Sequence, residues 1–135
     1  YYYGEALKNE IIGEERAEKI LPIASVQNNG LKFSLHADQP MFKSDPLRLI
    51  QTAVLRKTKE GNLMGDGEQI DILDALKAMT IHAAWQIKME DKIGSIKEGK
   101  FADFVILDKN PLETPSNELE KIQVLKTFVH GNELK

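Results

Sequence analysis

Residues 31–37 (LKFSLHA) are the single strand candidate before residue 91, and helical stretches stand on both sides of them. One strand followed by three helices has no sheet of its own to join, so this arrangement restricts the possible architectures more than any other feature. The run ends in Asp38, Gln39 and the strand-terminating Pro40, and Gly30 precedes it. Period-2 alternation puts Ser34, His36 and Asp38 on one face and Phe33 and Leu35 on the other.

Around this run the elements follow from local signals. Residues 13–29 keep helical spacing through Ala17, Ile20, Leu21, Ala24 and Val26. Pro22 interrupts them, so a kink or two short helices is expected, and Asn28-Asn29-Gly30 is a stop. Asp45 suits an N-cap with Pro46 at the first helical position, and Leu47, Ile50, Val54 and Leu55 form an apolar face through about Lys57. Residues 59–67 (KEGNLMGDG) form a glycine-punctuated loop. A third helix begins near Ile70-Asp71 with Ile72, Leu73, Leu76 and Met79 as its buried stripe, and Thr80 caps a short fourth helix containing Ala83, Ala84 and Trp85.

The texture changes after Asp91. Residues 93–96, 97–100 and 104–108 read as strand, tight turn and strand, ended by Asn110-Pro111. Residues 114–120 are a polar loop, and residues 122–129 a last strand turned by His130-Gly131-Asn132. The expected division is therefore 1–90 and 91–135.

Composition removes several function classes. At 135 residues and 41% hydrophobic, the chain suffices for one domain with a modest core. A net charge of −3 with both signs interspersed supplies no basic field for nucleic acid and no polybasic membrane patch. There is no cysteine, so neither disulfides nor thiolate metal sites are possible. No apolar run approaches the roughly 20 residues that cross a bilayer. The amino end has no Met and no signal-peptide pattern, so the expectation is a cytoplasmic chain cut from something longer.

A carboxylate at the point where a buried strand gives way to a loop is where α/β barrels place their chemistry. Asp38 is thus the candidate catalytic residue, the alternative being a cap that accepts backbone N–H bonds in the turn before Pro40. His36 either touches substrate from the same face or is a hydrogen-bonded core histidine. His82 and His130 lack the i, i+4 spacing of a metal pair and read as structural. Residues 94–100 lack the G-x-x-x-x-G-K-[ST] spacing of a phosphate loop, and Gly99 reads as a positive-φ turn residue. Gly65-Asp66-Gly67 is a surface loop or a lid, and Tyr1 to Tyr3 either pack or fray.

Three pieces, in order, resemble the carboxyl-terminal part of the amidohydrolase superfamily, most closely its "amidohydrolase 3" branch of D-aminoacylase-like, formamide-deformylase-like and exoenzyme-regulatory proteins. The first is His36-Ala37-Asp38-Gln39-Pro40 with Asp45-Pro46, in which Gln39 departs from the small residue usual there. The second is Thr80 with Ala83-Ala84. The third is the stretch 94–111 (GSIKEGKFADFVILDKNP), with Val129-His130-Gly131-Asn132 near the end.

The resemblance implies an α/β fold: the last β/α unit of a metal-dependent (β/α)8 barrel, plus carboxyl-terminal strands of a small β-sandwich built from both chain ends. It also implies a hydrolase of non-peptide C–N bonds in amide or N-acyl compounds. Asp38 would be both metal ligand and general base, since a bound divalent ion brings the pKa of its water to about 7. Zinc is the expected metal of the full-length parent. The other ligands, usually histidines and often a carbamylated lysine, are absent here, so this segment alone is expected to bind no cofactor and to be inactive. The implied partner is a small-molecule amide, with neither nucleic acid nor membrane. Strands cut from their neighbours predict self-association or a homo-oligomer. The rival reading is a non-catalytic regulatory or interaction module on the same fold.

Overall fold

Pro22 divides the first helical stretch in the computed structural model, which describes all 135 residues. After α1 (Gly4–Ala6) and one π-helical turn (Leu7–Ile11), α2 (Glu14–Ala17) ends before Pro22 and α3 (Ile23–Asn28) begins after it. Proline offers no capping side chain, and Glu68 takes that role from a distant loop. It accepts the Ser25 backbone N–H at 2.9 Å and the Ser25 hydroxyl as well. Gly30, at φ +73°, turns the chain away from α3.

The helix α4 (Pro46–Leu55) starts as its sequence dictates, with the Asp45 carboxylate accepting the Arg48 N–H at 3.2 Å and Pro46 at the first position. It ends on Arg56 in the left-handed conformation, φ +53°. Next come α5 (Ile72–Met79) and α6 (Ile81–Gln86). Thr80 stands at the N-cap of α6, but its hydroxyl donates back to Leu76 O at 2.7 Å and caps nothing. The buried residues of α5 are the small ones, Ala75 and Ala78, while Leu73, expected inside, is exposed. Small side chains let α5 lie close against α4, so the larger ones flank the contact instead of filling it.

The core joins Ala24, Ile50, Ala53, Ile70 and Ala75 to Leu119 and Ile122, with Phe33 and Leu35 packed on its margin. Leu119 is fully buried on a 3₁₀ helix (Ser116–Lys121) that lies across α4. Gln51 Oε1 accepts the Glu120 N–H at 3.1 Å, and Arg48 pairs with the Glu120 carboxylate at 2.7 Å. The two expected segments, on either side of Asp91, thus share one apolar cluster.

Three strands, β1 (Phe104–Leu107), β2 (Val124–Val129) and β3 (Asn132–Glu133), form an antiparallel sheet in the order β1-β2-β3. Phe104 pairs with Phe128 and their rings stack at 4.6 Å. The segment ahead of β1 corrects the expectation of a hairpin: residues 93–96 form bends, not a strand. The Lys100 ammonium holds them there, donating to Glu90 O, to Ile93 O at 3.2 Å and to Ser95 Oγ at 2.8 Å. Gly99 does adopt positive φ, +85°. Asp103 accepts the His130 N–H and Asp108 the Gln123 N–H, each at 2.7 Å, so both acids of the 94–111 stretch tie β1 to the chain around β2.

Residues 31–37 are extended but pair with no strand, a second correction. The alternation is present, with Phe33 and Leu35 turned to the core, yet no sheet edge lies beside it. Strand hydrogen bonding needs a partner as well as a pattern. No helix is long and apolar enough to cross a membrane.

Candidate active-site groove

The unpaired segment 31–38 borders an open groove of about 440 Å³. Ser34, His36 and Asp38 all line it, together with the start of the chain and one side of α4. Asp38 sits at φ +57°, a left-handed position that Asp tolerates better than most residues, and its carbonyl accepts the Met41 N–H at 3.0 Å. The side chain is exposed. No protein donor reaches its carboxylate, so the capping role weighed for it is not the one it plays. His36 is exposed beside it, and Ser34 is tied to Gln86 by a hydroxyl–amide hydrogen bond.

Aromatic rings build one wall. Tyr2 stacks on Phe42 at 4.9 Å with nearly parallel planes, Tyr3 meets Phe42 edge-on at 5.5 Å, and Tyr1 packs edge-on against Tyr2. The amino-terminal tyrosines therefore pack. The Arg48 guanidinium lies 5.0 Å from the Tyr1 ring centre. Burial works against its charge, but Glu120, Tyr1, Tyr2 and Asp45 outweigh burial and raise its pKa.

Sequence spacing did not single out Arg48 or Arg56, and both line the groove. Arg56 is buried, with Nε donating to Met64 O at 3.1 Å and Nη2 to Ile20 O at 2.9 Å. Desolvation lowers its pKa, and Glu68 and Glu18 counter only in part. One signal was available in the sequence: a long cation directly follows the last apolar residue of α4, at the position where glycine usually ends a helix.

The other candidates lie away from the groove. His82 is half-buried in α6 with an Nδ1 that finds no partner, and His130 packs against Phe101 with ring centres 4.5 Å apart. Gly65 is buried beside Arg56, with its N–H donated to Glu18 at 2.8 Å.

The donor set does not fit a resident metal. Structural and catalytic zinc sites take three or four protein ligands, and no three His, Asp or Glu side chains gather anywhere in this chain. Asp38 and His36 are the acid and imidazole that the 31–38 segment brings to the groove, and they fall short of a coordination sphere.

Residues 2–134 match the model of the amidohydrolase family. The chain is 34% identical over 113 residues to N-substituted formamide deformylase of Arthrobacter pascens, covering 84% of this chain and 21% of that protein. It is 37% identical over 125 residues to Protein LONG AFTER FAR-RED 3 of Arabidopsis thaliana, covering 91% and 21%. The chain thus spans about a fifth of the length of these relatives. The crystal structure of an amidohydrolase from Thermotoga maritima MSB8 aligns with a TM-score of 0.64 and 24% identity, covering 88% of this chain and 26% of that one. At that identity the likeness is one of fold.

Proposed function

This chain belongs to the amidohydrolase family, and from that membership we propose that it is the carboxyl-terminal segment of a hydrolase of non-peptide C–N bonds in amide or N-acyl compounds. On this reading residues 1–90 carry the last β/α unit of a (β/α)8 barrel and residues 91–135 the closing strands of a β-sandwich. The observation that carries the proposal is the Asp38 carboxylate, exposed on the groove and free of protein donors. The named activity of the Arthrobacter relative, deformylation of N-substituted formamides, supports the reaction class.

Asp38 is the general base. It takes a proton from a water as the water oxygen attacks the amide carbonyl carbon. It returns that proton to the nitrogen as the C–N bond breaks, leaving a carboxylic acid and an amine. General-base assistance of this kind is worth about 10²–10⁴-fold in rate. His36, beside it on the groove, contacts substrate. The family resemblance implies a divalent metal, zinc being the expected ion. Its remaining ligands would come from polypeptide outside these 135 residues, and no step is assigned to it here.

Two preparations test the reading: the 135-residue chain alone, and the chain substituted for the matching segment of the Arthrobacter deformylase. Hydrolysis of an N-substituted formamide by the hybrid, and none by the chain alone, is the expected result. Turnover by the isolated chain overturns the segment reading. A second reading, a regulatory or interaction module on the same fold, draws on the 37% identity to LONG AFTER FAR-RED 3, whose name states no reaction.

A further inference from the structure

Arg56 differs from every other cation of this chain. It is 8% exposed and lines the groove, yet no carboxylate lies within ion-pairing distance of it. A buried charge without a counter-ion is costly, and carbonyl contacts offset only part of that cost. Here the carbonyls of Met64 and Ile20 occupy Nε and Nη2, while Nη1, which bears two N–H donors, has no protein acceptor. The guanidinium is also held in place. Besides its two carbonyls it abuts Gly65, where an added Cβ would come within 2.9 Å of Nη2.

The other groups on the groove point the same way. Arg48 is taken by Glu120 at 2.7 Å and faces Asp45 at 3.6 Å. The lining charges without an ion pair are therefore Lys43, Arg56 and Lys57 against Asp38 alone: three cations to one acid, in a chain of net charge −3. Beside them Leu35, Phe42 and Leu49 give the groove an apolar lining. A volume of about 440 Å³ falls within the range of small-molecule sites, about 300–1,000 Å³.

We propose that this groove binds an organic carboxylate with an apolar body, its carboxylate seated on the free edge of Arg56. A guanidinium offers parallel N–H donors that match a carboxylate, and a fixed, desolvated one loses little in forming them. The proposal deepens the hydrolase reading and rests on it for one point, that the ligand is a substrate. The substrate class is then an N-acyl compound bearing a free acid, with the acid on Arg56 and the amide toward Asp38. Binding itself needs only this chain.

Side-chain NMR of the 135-residue chain tests it, with N-acetylleucine, acetate and inorganic phosphate titrated at constant ionic strength. The expected result is a saturable shift of the Arg56 Nε–H resonance, with N-acetylleucine at least tenfold tighter than acetate or phosphate. Arg56→Gln weakens binding at least tenfold, and Lys57→Gln, at the exposed rim, only a few-fold. An unmoved Arg56 resonance in the wild-type chain overturns the proposal whether or not Arg56→Gln folds. Phosphate binding tighter than N-acetylleucine, or equal binding by a folded Arg56→Gln, also overturns it. Failure of the hydrolase reading is seen separately, as this binding intact in the chain but no turnover by the hybrid.

Discussion

Glu68 and Ser25, 43 residues apart, are joined by two hydrogen bonds, one from the Ser25 backbone N–H and one from its hydroxyl to the two oxygens of a single carboxylate. The acid caps a helix whose own N-cap residue is a proline. The Ser25 hydroxyl, then its backbone N–H, hold the Glu68 pKa below its ordinary 4.5. A carboxylate depressed on folding contributes stability above its unfolded pKa and loses it as pH falls through the folded value. Glu68→Gln should therefore lower Tm at neutral pH, and the gap from wild type should close as pH drops below 4.5. A gap independent of pH would show that the ionised form is not what caps α3.

Gly94 lies against α6 so closely that a Cβ would come within 2.7 Å of Ala84 Cβ and 3.0 Å of Ile81 Cα, and its φ is +83°. Gly94→Ala should cost about 1–3 kcal/mol by urea denaturation, from overpacking and from left-handed strain together. Adding Ala84→Gly removes one clash and leaves the rest, so the double variant should recover only part of the loss. Full recovery would mean that the backbone at Gly94 is unstrained.

The 3₁₀ helix is anchored by packing more than by charge. Leu119→Ala, at a fully buried site, should cost about 2–5 kcal/mol. The Arg48–Glu120 pair, both partners partly exposed, should show a coupling of about 0.2–1 kcal/mol in a double-mutant cycle. A coupling larger than the Leu119→Ala loss would reverse that ranking.

Local chemistry was readable in advance. Pro22, the Asp45-Pro46 start and the glycine after Asn29 act through their immediate neighbours, so the elements they bound fall where expected. Residues 31–37 and 93–96 did not behave as strands, because pairing depends on an edge elsewhere and, at 93–96, on three acceptors gathered by Lys100. Leu73 was misplaced because helix periodicity cannot tell whether a stripe of alanines or of leucines meets the neighbouring helix. Asp38 was legible as an acid ending an apolar run. Arg56 was not, since what distinguishes it is the carbonyls of Ile20 and Met64, 36 and 8 residues away.

The sheet leaves one edge of β1 unpaired and exposes Val105, Ile106, Val124, Leu125 and Val129. Apolar edges of this kind promote association between chains. Solution scattering should give a mass above 15.2 kDa that rises with concentration, and Val105→Lys should lower it. A monodisperse monomer at all concentrations would argue against association.

Everything said of the reaction depends on Asp38 acting as the base. Replacing it by asparagine in the hybrid with the Arthrobacter deformylase, and measuring kcat on an N-substituted formamide, puts that role to the test. The expected result is a fall of about 10²–10⁴-fold in kcat with the folded hybrid retained. An Asp38→Asn hybrid that turns over as fast as its parent would contradict it.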